Sequence, residues 1–117
     1  MLTVATTTRI FAFLPPTDMR KGFSGLSAII REEFQADPTD GSLFLFINKR
    51  RDRMKLLHFV EGGFWLYYRV LEAGTFEPLK THDDDPRQLR LDATELAMLL
   101  AGVSLAQAGR RRRRFGV

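Results

Sequence analysis

The chain contains no cysteine. This absence excludes disulfide bonds, thiolate zinc sites and a thiol nucleophile, and it is compatible with a reducing compartment. The sequence also lacks an apolar run of membrane-spanning length, and its start lacks the charged and then unbroken apolar pattern of a signal peptide. We therefore expect a soluble, cytoplasmic protein with no membrane partner.

Familiar catalytic motifs are missing as well. The sequence has no Ser/His/Asp set, no Gly-rich phosphate loop and no zinc-binding spacing. His82 and the acids Asp83 to Asp85 are consecutive and so point in different directions, whereas two-metal nucleases gather carboxylates from separate elements. We interpret this run as a solvated loop, or as a mimic of the phosphate backbone that pairs with the arginine tail, and a small metal-dependent nuclease is the least favoured hypothesis. We expect no enzymatic activity, no cofactor and no metal.

The sequence contains enough apolar residues to form one hydrophobic core. It has 117 residues, 44% of them hydrophobic, with ten phenylalanines, as is typical of a single globular domain. The net charge of +4 is local: Arg110 to Arg114 are consecutive, and the remaining thirteen Lys/Arg face fourteen Asp/Glu. We predict one domain over residues 1–104 and a flexible arginine-rich tail over 105–117, which would bind any polyanion weakly.

The pattern of apolar residues predicts an α+β fold. Residues 7–13 read as a strand, and Phe23 to Phe34 have helical spacing after Asp18, which we predict as the helix cap. Apolar runs at 43–47, 54–60 and 64–70 are joined by short turns and predict an antiparallel meander, with 43–47 as a central strand. A short strand at 89–91 and a closing helix capped by Asp92 or Thr94 follow. We expect an antiparallel sheet of about four strands with a helix on one face and a C-terminal helix.

A cluster of cations occupies the turn between the first two meander strands. Five positive side chains fall within seven positions, with Asp52 as the single acidic residue among them; they are Lys49, Arg50, Arg51, Arg53 and Lys55. These charges repel one another, and a turn needed only for chain reversal would more often carry Asn-Gly or Asp-Gly. A polyanion such as nucleic acid relieves the repulsion. A solvated turn is the alternative.

Two docking details follow if this hairpin binds DNA. Alternation along a strand would place Arg51, Arg53 and Lys55 on one face. A two-stranded ribbon also fits the major groove of duplex DNA. Arg20 and Lys21, after Asp18, would extend the surface as an anion site at a helix start. An ordinary cap followed by charged residues explains those two cations better on composition alone.

The aromatic run after Gly63 has two interpretations. Trp65, Tyr67 and Tyr68 can stack on bases, as aromatic sheet faces do in proteins that bind single strands. Their alternation with Phe64 and Leu66 is equally what core packing requires. We favour the core.

Three blocks of this sequence resemble the TnpB accessory proteins of the bacterial insertion-sequence sixty-six family. The blocks are Asp18–Leu26, Leu45–Leu57 and Gly63–Pro78, and together they span about residues 9–78 in the order and spacing of the family. Two positions depart from its pattern, since Glu77 replaces a typical aromatic and Trp65 a smaller apolar residue. Neither departure favours a role in which the aromatic side chains stack on bases.

The resemblance implies a protein of a mobile element, encoded beside a separate DDE transposase that performs strand transfer. We therefore expect a non-catalytic accessory factor for transposition that contacts DNA at the transposon ends through the basic hairpin. The alternative is a protein-interaction module that docks on the transposase without contacting DNA, with the basic turn against an acidic patch of that partner. The sequence carries no prediction of oligomeric state.

Overall fold

The computed structural model describes residues 4–5, 7–79 and 86–101. These residues form one five-stranded sheet in the order β4-β3-β2-β1-β5, with two helices. The elements along the chain are β1 (Ile10–Phe13), α1 (Phe23–Glu33), β2 (Leu43–Ile47), β3 (Arg53–Val60), β4 (Gly63–Val70), β5 (Gln88–Leu91) and α2 (Ala93–Leu100). The predicted α+β class is confirmed.

β2 is the centre of this fold. All five of its side chains are apolar and all five are buried. Because successive side chains of a strand point to opposite faces, Leu43, Leu45 and Ile47 face one side of the sheet while Phe44 and Phe46 face the other. A strand of this kind is stable only when both faces of the sheet are covered.

Each face is covered by one helix. Leu26 and Ile30 of α1 pack with Phe44 and Phe46, together with Phe13 and Leu57. Leu96 and Leu99 of α2 pack on the opposite face, against a cluster that includes Leu43, Leu45 and Phe76. The sheet is therefore the middle layer of three.

The sheet is mixed, which the sequence-based expectation of an antiparallel sheet missed. β1 pairs with β2 in parallel, whereas the other three pairs are antiparallel. The connection between β1 and β2 runs through α1, and a helical crossover returns the chain in the same direction. β1 is consequently an inner strand, and β5 is the fifth strand beside it.

The two helices begin in different ways. α2 starts with a capping box, in which the Glu95 backbone N–H donates to Asp92 Oδ1 at 2.7 Å and the Asp92 N–H donates to Glu95 Oε1 at 3.1 Å. This confirms Asp92 as one of the two predicted caps. The prediction for α1 is wrong: its N-cap is Gly22, with no side-chain cap, and Asp18 lies four residues earlier.

The turn between β3 and β4 consists of two residues with positive φ. Val60 pairs with Gly63, so Glu61 at φ +51° and Gly62 at φ +80° make the turn. Two such residues are the signature of the hairpin turn that matches strand twist. This tight connection makes β4 the outer neighbour of β3 and one edge strand of the sheet.

Among the described residues, neither helix is long and apolar enough to cross a membrane. The predicted flexible tail, residues 105–117, lies outside the described residues.

We expect Phe44→Ala to lower the free energy of unfolding by about 3–5 kcal/mol, because it empties a closed aromatic cluster. The Phe44 ring centroid lies 5.8 Å from that of Phe11 and 5.3 Å from that of Phe34. Urea denaturation followed by circular dichroism measures this loss. Phe23→Ala is the control, since Phe23 is 47% exposed and should cost about 1 kcal/mol or less. Equal losses in the two variants would contradict this packing.

Candidate nucleic-acid interface

A short loop joins β2 to β3 and is held by the side chain of Asn48. Asn48 Oδ1 accepts from the backbone N–H groups of Asp52 at 3.1 Å and Arg53 at 3.0 Å. Its Nδ2 donates to Asp52 Oδ1 at 2.8 Å. Arg51 adopts φ +58°, and its N–H donates to the Asn48 carbonyl at 3.0 Å. We call residues 48–53 the basic tip.

The chain after β4 braces the basic tip from outside. The backbone N–H of Leu71 donates to the Asp52 carbonyl at 2.8 Å, and that of Phe76 donates to the Arg51 carbonyl at 2.6 Å. Phe76 is itself fully buried in the cluster beneath α2. Two carbonyls of the loop are thus tied to a segment that is anchored in the core, so the backbone of the tip is rigidly positioned.

Four cationic side chains of the basic tip are exposed: Lys49, Arg50, Arg51 and Arg53. Arg53 Nη1 donates to the Tyr68 hydroxyl at 3.2 Å. Within the described part of the chain, the side chains of Lys49, Arg50 and Arg51 have no hydrogen bond or ion pair. Asp52, the carboxylate between them, is only half-exposed and is engaged by Asn48.

The basic tip forms one wall of a groove of about 620 Å³. The other wall is the loop before α1, which is fixed because the Thr17 N–H donates to the Ile47 carbonyl at 2.9 Å. We call this cavity the tip groove; its lining comprises Thr17, Asp18, Met19, Arg20, Asn48, Lys49, Arg50, Asp52, Arg53 and Tyr68. The fold therefore brings Arg20 into one groove with three of the tip cations, Lys49, Arg50 and Arg53.

A second, smaller depression lies on the other side of the basic tip. Its volume is about 260 Å³, and Lys49 and Arg51 share its lining with Glu77. Two cations and one carboxylate line this depression, whereas four cations and two carboxylates line the tip groove.

Arg20 is already paired within the tip groove. Its Nη2 lies 2.7 Å from Asp18 Oδ2, and its Nε lies 3.1 Å from each carboxylate oxygen. The Asp18 carboxylate also accepts the Arg20 backbone N–H at 2.9 Å. The hydrogen bonds from the Arg20 side chain and backbone lower the pKa of Asp18 to about 2, and Asp18 in turn raises the pKa of Arg20. Asp18 is thus a counterion for Arg20 rather than the helix cap that the sequence suggested.

Lys55 does not belong to the exposed cationic surface. It is only 9% exposed, and its Nζ donates to the Lys21 carbonyl at 2.8 Å. The same Nζ lies 5.1 Å from the centroid of the Tyr68 ring. The prediction that Lys55 contacts a ligand together with Arg51 and Arg53 therefore does not fit the structure. Arg51 lies in the loop, and Lys55 projects from an inner strand and is covered there by the chain before α1 and the Tyr68 ring.

Lys21 supports the site through its backbone rather than its charge. Its carbonyl fixes Lys55, and its aliphatic stem lies over the start of α1, where a Cβ added at Gly25 would be 3.0 Å from Lys21 Cβ. Lys21 is exposed but does not line the tip groove. Arg20 is therefore the residue of this pair that the structure places with the basic tip.

The ribbon mode of DNA docking is also incompatible with the fold. β2 and β3 are inner strands, flanked by β1 and β4 along their length. A ribbon that enters a major groove has to project from the body of the protein. The part of the described hairpin that is available for contact is the basic tip.

The aromatic run divides between core and surface. Tyr67 is half-buried against the core beneath α2, in line with the core interpretation. Trp65 is 59% exposed and Tyr68 is 49% exposed, so that interpretation is wrong for both. The alternation with Phe64 and Leu66 was real, but β4 is an edge strand and neither of its faces is fully covered.

Three residues of this site have roles that the sequence did not predict. Asn48 and Asp52 hold the basic tip, and Tyr68 lines the groove. An Asn and an Asp at the two ends of a short loop were a usable signal, because both side chains readily bond nearby backbone. Nothing in the local sequence distinguishes Tyr68 from Tyr67.

The acidic run His82 to Asp85 lies outside the described residues. The described parts of the chain bring together no group of three or more His, Asp or Glu side chains that could hold a metal ion.

Comparison with known sequences agrees with the three blocks around this site. The family model described as IS66 Orf2-like protein matches residues 8–110. The chain belongs to this family. The match extends beyond residue 78, where the three blocks end, and includes β5 and α2. The protein is therefore associated with an insertion sequence.

Two relatives of this IS66 Orf2-like protein occur in Sinorhizobium fredii (strain NBRC 101917 / NGR234). The uncharacterized protein y4jC is 31% identical over 105 residues, which are 88% of this chain and 86% of y4jC. The uncharacterized protein y4hO is 26% identical over 103 residues, which are 88% of this chain and 87% of y4hO. No solved structure matches the chain.

We predict that Lys55→Ala destabilises the protein by about 1–3 kcal/mol, because it leaves the Lys21 carbonyl without its donor and removes a buried stem. Lys49→Ala, which removes an exposed cation of the same type, should change the free energy of unfolding by no more than about 0.5 kcal/mol. Urea titrations of both variants give the comparison. Equal effects would show that Lys55 is not anchored as described.

The Asp18 carboxylate should stay ionised at pH 3, since its pKa is about 2. In the unfolded chain its pKa has the higher, ordinary value of 3.8. The pairing therefore stabilises the folded state fully at pH values above 3.8, and this contribution is lost as the pH falls towards 2. Carboxyl ¹³C NMR titration measures the pKa directly. Arg20→Ala should return it towards 3.8, whereas Arg50→Ala, in the same groove, should leave it low. A normal pKa in the unmodified protein would refute the ion pair.

Proposed function

We propose that this IS66 Orf2-like protein is a non-catalytic accessory factor for transposition that contacts DNA at the ends of its insertion sequence through the basic tip. The observation that carries the proposal is the set of three consecutive exposed cations, Lys49, Arg50 and Arg51, which have no partner among the described residues. Arg53 and Arg20 line the tip groove together with Lys49 and Arg50, while Arg51 lines the smaller depression.

The electrostatics of the basic tip support a polyanionic ligand. The nearest carboxylates are already engaged, Asp52 by Asn48 and Asp18 by Arg20, so they do little to offset the three free cations. Like charges at adjacent positions destabilise the free protein, and phosphates relieve that repulsion while releasing counterions from DNA.

The rigidity of the basic tip supports the same proposal. A loop that serves only to reverse the chain does not need two hydrogen bonds from its backbone to one side chain and two more to a distant backbone segment. Here Asn48 closes the loop from inside, while Leu71 and Phe76 hold it from outside. Fixing the loop backbone before binding lowers the entropy cost of ordering the cations on the ligand.

A second candidate function is docking on the DDE transposase encoded by the element. The observation that favours it is β4, an edge strand on which Trp65, Tyr68 and Val70 are 48–59% exposed. Unpaired backbone groups of an edge strand, flanked by apolar side chains, are suited to binding a strand of another protein. Under this alternative the basic tip faces an acidic patch of the transposase, and DNA is not contacted.

Anisotropy titration of labelled transposon-end and scrambled duplexes tests the first function. The full-length protein carries Arg110→Gln to Arg114→Gln, so that the terminal arginines do not bind DNA themselves. If the four exposed tip cations meet phosphates, a plot of the logarithm of the association constant against the logarithm of the salt concentration should have a slope of roughly −3.6. Affinity should then fall on the order of a hundredfold between 50 and 200 mM salt. Combining Lys49→Ala, Arg50→Ala and Arg51→Ala should make the slope shallower by about 2.7.

The matched control removes three exposed arginines elsewhere, by Arg9→Ala, Arg31→Ala and Arg90→Ala. It lowers the formal charge equally, and the salt slope should remain near its starting value. A preference for the transposon-end duplex would make the protein a recognition factor. Absence of binding at low salt, or equal losses in both triple variants, would contradict DNA contact by the tip and favour docking on the transposase.

A further inference from the structure

Tyr68 lies on the wall of the tip groove, among the cations that the proposed function assigns to phosphate. It is 49% exposed, although core packing was expected of it. It pairs with Lys55 across β3 and β4 and faces the same side of the sheet as α1. The groove thus combines an aromatic ring with Arg20, Lys49, Arg50 and Arg53.

The Tyr68 ring is held by two cations. Arg53 Nη1 donates to its hydroxyl at 3.2 Å, and Lys55 Nζ lies 5.1 Å from the ring centroid. Lys55 is in turn fixed by the Lys21 carbonyl at 2.8 Å. Because Lys55 covers one face of the ring, the exposed area belongs to the rest of it. A ring positioned in this way loses little conformational freedom when a ligand stacks on it.

From this arrangement we infer that the tip groove binds single-stranded DNA, with an unpaired base stacked on Tyr68 and its flanking phosphates on the tip cations. This inference rests on the proposed function and narrows its ligand. Cationic grooves with an aromatic platform are the common solution for single strands, because every base offers a flat face. Bases inside a duplex are already stacked and become accessible only when they are unpaired.

Trp65 does not share this position, although it is more exposed. It pairs with His58, three positions further from the tip than Tyr68, and it points to the opposite face of β4. Its ring stacks on Tyr67 at a centroid distance of 6.1 Å, and it does not line the tip groove. Trp65 is therefore a matched control on the same strand.

The test compares two labelled single strands that carry the same phosphates. One is a short oligothymidylate, and the other has abasic sugars in place of its central thymidines. Full-length protein with Arg110→Gln to Arg114→Gln is titrated against both strands at 50 mM salt. The unmodified groove should bind the strand with bases about 5-fold to 150-fold more tightly than the abasic strand.

Tyr68→Ala should remove this preference by weakening binding of the thymidine strand while leaving the abasic strand unchanged. Tyr68→Phe keeps the ring and should keep the preference, and Trp65→Ala should behave like the parent protein. Circular dichroism checks that each variant is folded. If Tyr68→Ala does not fold, the comparison of Tyr68→Phe with Trp65→Ala still tests the inference.

Two results would overturn this inference but leave the proposed function standing. They are equal binding of the two strands by the parent protein, and a preference that Trp65→Ala removes as effectively as Tyr68→Ala. If both strands and a duplex bind equally and with the same steep salt dependence, phosphate contact by the basic tip stands and base stacking fails. If no strand and no duplex binds, both proposals fall.

Discussion

The burial of β2 on both faces is the constraint on which this structure depends. Five consecutive apolar side chains cannot be covered by one helix, because they point alternately to the two sides of the sheet. The chain meets this requirement with α1 on one face and α2 on the other. The crossover through α1 makes β1 the parallel neighbour of β2, and the hairpin to β3 provides the antiparallel one. The end of β2 thereby becomes a fixed point in the molecule, and the basic tip begins there.

The basic tip combines a braced backbone with exposed charges. Hydrogen bonds to Asn48, and from Leu71 and Phe76, determine the path of the loop. Lys49, Arg50 and Arg51 are left to solvent within the described part of the chain. The carboxylates close to them, Asp52 and Asp18, are engaged by Asn48 and Arg20. The proposed DNA ligand would meet these cations, whereas the alternative partner, the transposase, would meet the exposed edge strand β4.

Local patterns predicted much of this fold. Helical spacing located α1 and α2, and apolar runs located the three meander strands. Asp92 was one of two predicted caps of α2, because capping depends on residues within one turn. The start of α1 was misplaced for an equally local reason. Asp18 has two ways to satisfy its carboxylate, and Arg20, two residues away, provides more hydrogen bonds than a helix start could. The parallel pairing of β1 was missed because strand order depends on packing across the whole sheet.

The sequence by itself determined the α+β class, the central strand, the cluster of cations in the β2–β3 loop and the resemblance to one family, since each depends on residue types at short spacing. Only the tertiary structure decided which cations are available. Lys49 and Lys55 look equivalent in the sequence, yet Lys55 is buried against a carbonyl 34 positions away, and Arg20 reaches the tip groove from another part of the chain. Tyr67 and Tyr68 are likewise separated into core and surface by the helix or groove that each one faces. Burial is a property of what surrounds a side chain, and at these positions the surroundings come from segments distant in sequence.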